Sequence, residues 1–268
     1  MSEPLLSIHL DAGYPGKLGV LRNFSLDIQR GEVLGLVGRS GCGKSTLALA
    51  ILRLLHLKRG HVTGTATFNG LNLLTANEHQ MRQLRGKDIA LVLQSPISSL
   101  NPALKIGTQL NEAWRVHRNG TREECRRSVL DALANVSLPE AASFLDRYPS
   151  ELSVGQAQRI LIAMAVLHRP LLLIADEPTS ALDLITQSEI LQLFARLSRI
   201  FTMSILYISH DLLSVATISN RVAVMEQGEI VECRSTREIF NSPQHPYTQK
   251  LIQSLPFPPT LAAKAGVF

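Results

Sequence analysis

Short apolar runs broken by turns occupy the first third of the chain. Phe24–Ile28, Val33–Val37, Thr65–Phe68 and Ile89–Leu93 are β-branched or apolar and predict strands. Between the second and third, the glycine-rich stretch GRSGCGKST leads into the apolar helix LALAILRLL. From about Gln94 to Leu167 the texture changes. Thr108–His117, Thr121–Asn135 and Ser153–Leu167 carry helical spacing with no strands between them, and the last is nearly all apolar from Ile160, as in a helix covered on most sides. Strand–helix alternation resumes at Leu171. LLLIA is the continuous apolar run of a parallel strand covered on both faces. Ile190, Leu193, Phe194, Leu197 and Ile200 then stripe one helix face. SILYIS and Val222–Met225 predict two more strands, with a helix from about Leu212 between them and a turn at Gln227-Gly228. The pattern implies an α/β core over about 1–93 and 168–255, a helical insertion over about 94–167, and a short proline-bearing tail at 256–268.

Composition narrows the class. Among 268 residues, 45% are hydrophobic and 18% charged, which excludes a disordered chain and allows a core without disulfides or metals. The longest apolar run, Ile160–Leu167, falls far short of the ~20 residues that span a bilayer. MSEPLLSIHL has neither a basic n-region nor a long apolar h-region, so no signal peptide is expected. Three widely spaced cysteines (Cys42, Cys125, Cys233) suit a reducing compartment. A net charge of +5 favours anionic partners: nucleotides, nucleic acid or a lipid surface.

The motifs choose among these. Gly38-Arg39-Ser40-Gly41-Cys42-Gly43-Lys44-Ser45 satisfies G-x-x-x-x-G-K-[ST], with an apolar strand before it and a helix, opening through Thr46, after it. Glycines let the backbone wrap a phosphate with its N–H groups inward, and the helix N-terminus adds favourable partial charge. Lys44 would reach the β/γ-phosphates and Ser45 would ligate Mg²⁺. Asp176 and Glu177 end the strand LLLIA, the edge where open α/β sheets bind ligands. Asp176 would hold Mg²⁺ through water, and Glu177 would orient and deprotonate an attacking water. Alone, each motif reads as an empty turn or a solvated pair of acids; together they predict hydrolysis of a nucleoside triphosphate. Cys42, at a helix N-terminus, is a candidate reactive thiol.

A second anion site is suggested by Leu152-Ser153-Val154-Gly155-Gln156, at the start of a long helix. One triphosphate loop has no need of a second in the same chain, so this helix end reads as a cap for the γ-phosphate bound by a partner. Here the sequence resembles the ATP-binding cassette (ABC) family, whose signature is LSGGQ. The likeness runs in order along nearly the whole chain. Gln94 matches the Q-loop glutamine, Asp183 in Ser180-Ala181-Leu182-Asp183 the D-loop, His210 the switch histidine, and Tyr14 the aromatic that stacks on adenine. The resemblance implies a P-loop NTPase (RecA-like) core with an inserted helical subdomain and N-terminal antiparallel strands. It also implies ATP and Mg²⁺ as ligands, with Gln94 joining Ser45 and Asp176 at the metal, and Ser153, Gly155, Gln156 and Asp183 facing a partner cassette. Val154 departs from the signature, where a glycine is usual, and a β-branched residue there stiffens the backbone.

The run from Glu238 to Leu251, with FNSPQHPYT at its centre, is similar to the F-x-x-P-x-H-P-Y-T segment of peptide, nickel and opine importers. Gln94-Ser95-Pro96 followed by Ser99-Leu100-Asn101-Pro102 resembles the same subfamily. This resemblance implies a peripheral subunit on the cytoplasmic face of the inner membrane. Its partners would be a second, possibly non-identical ABC ATPase, two permease subunits and, indirectly, an extracytoplasmic solute-binding protein; nucleic acid is not expected. Only Cys233 lies near the region where larger members bind an iron–sulfur cluster, so none is expected. The expected cargo is nickel or a metal chelate, or di- and oligopeptides; no residue decides between them, and the absent cysteines tilt the resemblance toward the nickel/opine branch. The competing classes are a soluble ABC ATPase acting on nucleic acid or ribosomes and a P-loop small-molecule kinase.

Overall fold

The computed structural model describes residues 3–138 and 141–255; the tail expected at 256–268 lies outside them. The first half runs β1 (Leu6–Tyr14), β2 (Lys17–Ile28), β3 (Val33–Val37), α1 (Lys44–Ile51), β4 (His61–Phe68), β5 (Leu71–Asn72), α2 (Glu78–Leu84), β6 (Ile89–Val92), α3 (Pro96–Ser99), α4 (Ile106–Arg115) and α5 (Arg122–Asn135). The second runs α6 (Ala141–Leu145), α7 (Val154–Val166), β7 (Leu172–Asp176), α8 (Leu184–Phe201), β8 (Ser204–Ser209), α9 (Leu212–Ile218), β9 (Arg221–Glu226), β10 (Glu229–Ser235), α10 (Thr236–Asn241) and α11 (Pro246–Gln253). Two compact units result: Met1–Met81 with Ser204–Phe268, and Arg82–Met203.

In the first unit, β2-β1-β4-β5 form an antiparallel sheet. Leu6, Ile8 and Leu10 of β1 are buried while His9 and Asp11 face solvent, the period-two alternation of a sheet with one covered face. A second sheet has β3 between β8 and β9, parallel to both, with β10 antiparallel on β9. All five residues of β3 are buried, as its unbroken apolar run predicts. Helix α9 lies so close to β3 that a β-carbon on Gly35 would collide with Val215 and stand 2.6 Å from Ser219 Oγ. The expected turn closes the β9–β10 hairpin through Gln227 (φ 49) and Gly228 (φ 90), both left-handed, as a two-residue hairpin turn demands.

In the second unit, β6 and β7 pair in parallel from Ile89↔Leu172 to Val92↔Ala175. The helices α4, α5 and α7 arise where helical spacing predicts them. Thr121 caps α5 through a reciprocal bond pair with Glu124. In α7, Ile160, Ile162, Ala163 and Val166 are all but inaccessible. Each buried isoleucine there contributes about 1.5–3 kcal/mol, which makes α7 the apolar axis of this unit.

Candidate nucleotide-binding site

The first unit carries the glycine-rich loop at the C-terminal end of β3, with α1 leaving from it. Gly43, the N-cap of α1, has φ 115, and a β-carbon there would meet Leu21 Cδ2 at 2.8 Å and Met225 Cε at 2.9 Å. Both its backbone conformation and the floor beneath it require glycine. A β-carbon on Gly38 would run into the Met225 carbonyl and stand 2.9 Å from Cys42 Sγ. Met225, from β9, is thus the floor of the loop, and no local sequence signal marks it.

Lys44 is buried at the first turn of α1, yet its ammonium is not left in apolar surroundings. It donates to the Gly38 carbonyl at 2.8 Å and to the Arg39 carbonyl at 3.2 Å. The loop is therefore wrapped around a cation held by its own carbonyls. Ser45 is exposed beside it, whereas Thr46 is buried. The Tyr14 hydroxyl lies 3.2 Å from Thr46 Oγ1, so this aromatic stands at the mouth of α1, with its ring edge against Gly60. Arg39, Ser40 and Gly41 are exposed and Cys42 is half-buried. His210 follows β8 directly and is exposed; Asp211 beside it caps α9 by accepting from Leu213 and Ser214.

The second unit carries the remaining expected residues. Gln94 is exposed two residues past β6. Asp176 is the buried last residue of β7. Glu177 follows with φ 48, a left-handed backbone that is uncommon for a side chain of this kind. Its carbonyl accepts from the Ser180 amide at 3.3 Å and hydroxyl at 3.1 Å, a turn that holds the residue there. Strained backbone of this sort concentrates where chemistry fixes a side chain's aim.

Ser153 is the N-cap of α7. Its hydroxyl accepts from the Gln156 amide, while Gln156 Oε1 accepts from the Ser153 amide. Two of the N–H groups that the sequence suggests for a partner's phosphate are thus engaged by the helix's own capping box. Val154 is 41% exposed at the first position of α7. Gly155 faces α8 across a gap too narrow for a side chain, a packing role that its place in the signature does not reveal. Asp183 caps α8, accepting from the Ile185 and Thr186 amides and from Thr186 Oγ1 at 2.7 Å. The bonds from Thr186 hold its carboxyl below the usual carboxylate range.

A family profile described as ABC transporter matches residues 21–180, and one described as Oligopeptide/dipeptide transporter, C-terminal region matches residues 231–264. The glutathione import ATP-binding protein GsiA of Escherichia coli (strain K12) is 45% identical over 246 residues, 90% of this chain and 40% of that protein. GsiA of Shigella dysenteriae serotype 1 (strain Sd197) is 44% identical over the same shares. The chain thus spans about 40% of the length of these curated relatives. A solved dimer of the ATP-binding cassette MJ0796 in a post-hydrolysis state with ADP and Pi is similar at 26% identity and TM-score 0.73, covering 87% of this chain and 99% of that one. The fold is also that of cbiO1 from Clostridium perfringens, with TM-score 0.77, 24% identity, and 98% and 100% coverage.

Proposed function

Because this chain belongs to the ABC transporter family and has its P-loop NTPase fold, we propose that it binds and hydrolyses ATP to drive import of short peptides across a membrane. The observation that carries the reading is the Lys44 ammonium, held 2.8 Å from the Gly38 carbonyl inside a glycine loop. An incoming phosphate offers that cation a stronger, charge-assisted acceptor than a carbonyl. Gly38 and Gly43 let the loop lie flat on Met225, where a β-carbon at either would collide, while Arg39, Ser40 and Gly41 stay exposed above it. Ser45 of the first unit and, as the family resemblance implies, Asp176 and Gln94 of the second each offer the hard oxygen donor that Mg²⁺ takes. When bound, the metal neutralises charge on the phosphates. Glu177 takes the proton of the attacking water and His210 contacts the γ-phosphate. Tyr14 offers its ring to adenine.

Ser153, Gly155, Gln156 and Asp183 would serve the nucleotide of a second cassette, in another chain or elsewhere in a longer one. With Ser153 Oγ and the Gln156 amide paired to each other, the Ser153 hydroxyl proton and the Val154 and Gly155 amides of the first turn are the donors that would reach a phosphate. Leu184 and Ile185, 83% and 75% exposed beside Asp183, are apolar side chains that such a partner would cover.

The working assembly has two cassettes, two permease subunits and a solute-binding protein outside, with this chain on the cytoplasmic face. Among the described residues no helix is long and apolar enough to cross a membrane. Peptides are the favoured cargo over nickel, because the matched C-terminal region is described as that of an oligopeptide/dipeptide transporter and the relatives as importers of glutathione, itself a tripeptide. Uptake of labelled di- and tripeptides by cells lacking this gene tests the reading. Wild type is expected to restore uptake and Glu177→Gln is not; uptake that never needed the gene would end the importer reading.

A further inference from the structure

The C-terminal segment singled out in the sequence, HPYT, reaches the phosphate loop. Tyr247 is buried in the first turn of α11, and its hydroxyl oxygen accepts from the main-chain N–H of Arg39 at 3.3 Å. The other side of Arg39 is equally occupied: its carbonyl accepts from Lys44 Nζ at 3.2 Å and from the Cys42 amide at 3.3 Å. The Arg39 guanidinium lies 6.0 Å from the Tyr247 ring centroid, within cation–π range. Tyr247 is itself anchored. His245 Nδ1 accepts from the Tyr247 amide at 3.2 Å, and the Glu232 carboxylate of β10 accepts from the Gln244 and His245 amides, both at 3.0 Å. An unbroken series of bonds therefore runs from the sheet through Glu232 and α11 to the peptide on which the loop lysine rests.

We propose that Tyr247 is a positioning residue for ATP binding, presetting the Arg39 peptide and with it the mouth of the phosphate loop. This rests on the proposed nucleotide site and adds a role for the C-terminal segment to it. A preset loop does not have to be ordered by the ligand, so its loss weakens ground-state and transition-state binding alike.

MgATP titrated calorimetrically into the full chain tests this with wild type, Lys44→Ala, Tyr247→Phe and His245→Ala. Absence of wild-type binding, or binding indifferent to Lys44→Ala, would sink the nucleotide site itself. With that site in place, Tyr247→Phe, which deletes only the hydroxyl, is expected to raise Kd by about 3–10-fold, the range for one neutral hydrogen bond. KM for ATP rises with it while kcat and the melting temperature of the nucleotide-free protein hold. A Kd within twofold of wild type, or tighter, overturns the proposal. So does a rise that comes with a lower melting temperature and is matched by His245→Ala, since the tyrosine would then act only through the stability of α11.

Discussion

A β-carbon on Gly155 would stand 2.9 Å from Cγ2 of Thr186, inside van der Waals contact. Thr186 cannot retreat freely, because its hydroxyl is bonded to Asp183 at 2.7 Å. The start of α7 and the cap of α8 are thus locked by one glycine. Gly155→Ala is expected to destabilise the protein by about 1–3 kcal/mol, as overpacking does. Adding Thr186→Ser, which deletes the offending methyl and keeps the hydroxyl, is expected to recover most of the loss. Urea denaturation of the two single variants and the double variant measures the coupling; strictly additive effects would refute the lock.

Glu177→Gln keeps the shape of the side chain and its left-handed backbone but removes the base. ATP binding is expected to persist while turnover falls by about 10²–10⁴-fold, the usual contribution of a general base. Single-turnover hydrolysis with labelled ATP checks this. Residual hydrolysis above a tenth of wild type would assign the proton to another group.

Glu232 gives a pH dependence. Burial works against its charge, but the amides of His245 and Gln244 outweigh that and bring its carboxyl below the usual value. A depressed folded-state pKa adds stability above the unfolded value of about 4.3 and loses it as pH falls through the folded one. Acid is therefore expected to loosen α11 below about pH 4.3, and Glu232→Gln to flatten that limb of the stability curve. Melting temperatures between pH 3 and 7 would show the difference, and parallel curves would discount the carboxylate.

Cys42 is expected to be the first thiol to react. Burial raises the thiol pKa of both Cys125 and Cys233, whereas Cys42 lies in the loop at a helix N-terminus, where a thiolate is favoured. Maleimide labelling followed by peptide mapping should find Cys42 modified first, with MgATP slowing the modification. Labelling unaffected by ATP would separate the thiol from the nucleotide.

Val154→Gly places the glycine usual in the signature at a position that is 41% exposed. Its effect on hydrolysis is expected to stay within about threefold, because the cap formed by Ser153 and Gln156 survives without it, and only a larger change in steady-state rate would make Val154 a determinant.

Features written in neighbouring residues were legible in the sequence. The loop from Gly38 to Ser45, the buried run of β3, the helix α7 with its serine cap and the Gln227-Gly228 turn all follow from spacing alone. Strand β1 escaped the apolar runs because its signal is alternation, Leu6, Ile8 and Leu10, and not continuity. What stayed hidden depends on distant residues meeting. Met225 under the glycines, Thr186 against Gly155 and Tyr247 on Arg39 have no periodicity to betray them. The HPYT segment stood out by its resemblance to importer sequences, and Pro246 opens α11, but its contact with the loop required the sheet that brings β10 there.

That contact has a temporal consequence. Arg39 and Tyr247 are 208 residues apart, and Met225 also comes late in the chain. At ribosomal rates of about 5–20 residues per second, the loop emerges roughly 10–40 s before its floor and brace. A nascent chain carries the complete phosphate-loop sequence long before it can hold the loop's shape. A chain cut short after β8 would carry the motif without the methionine beneath it and the tyrosine that braces it.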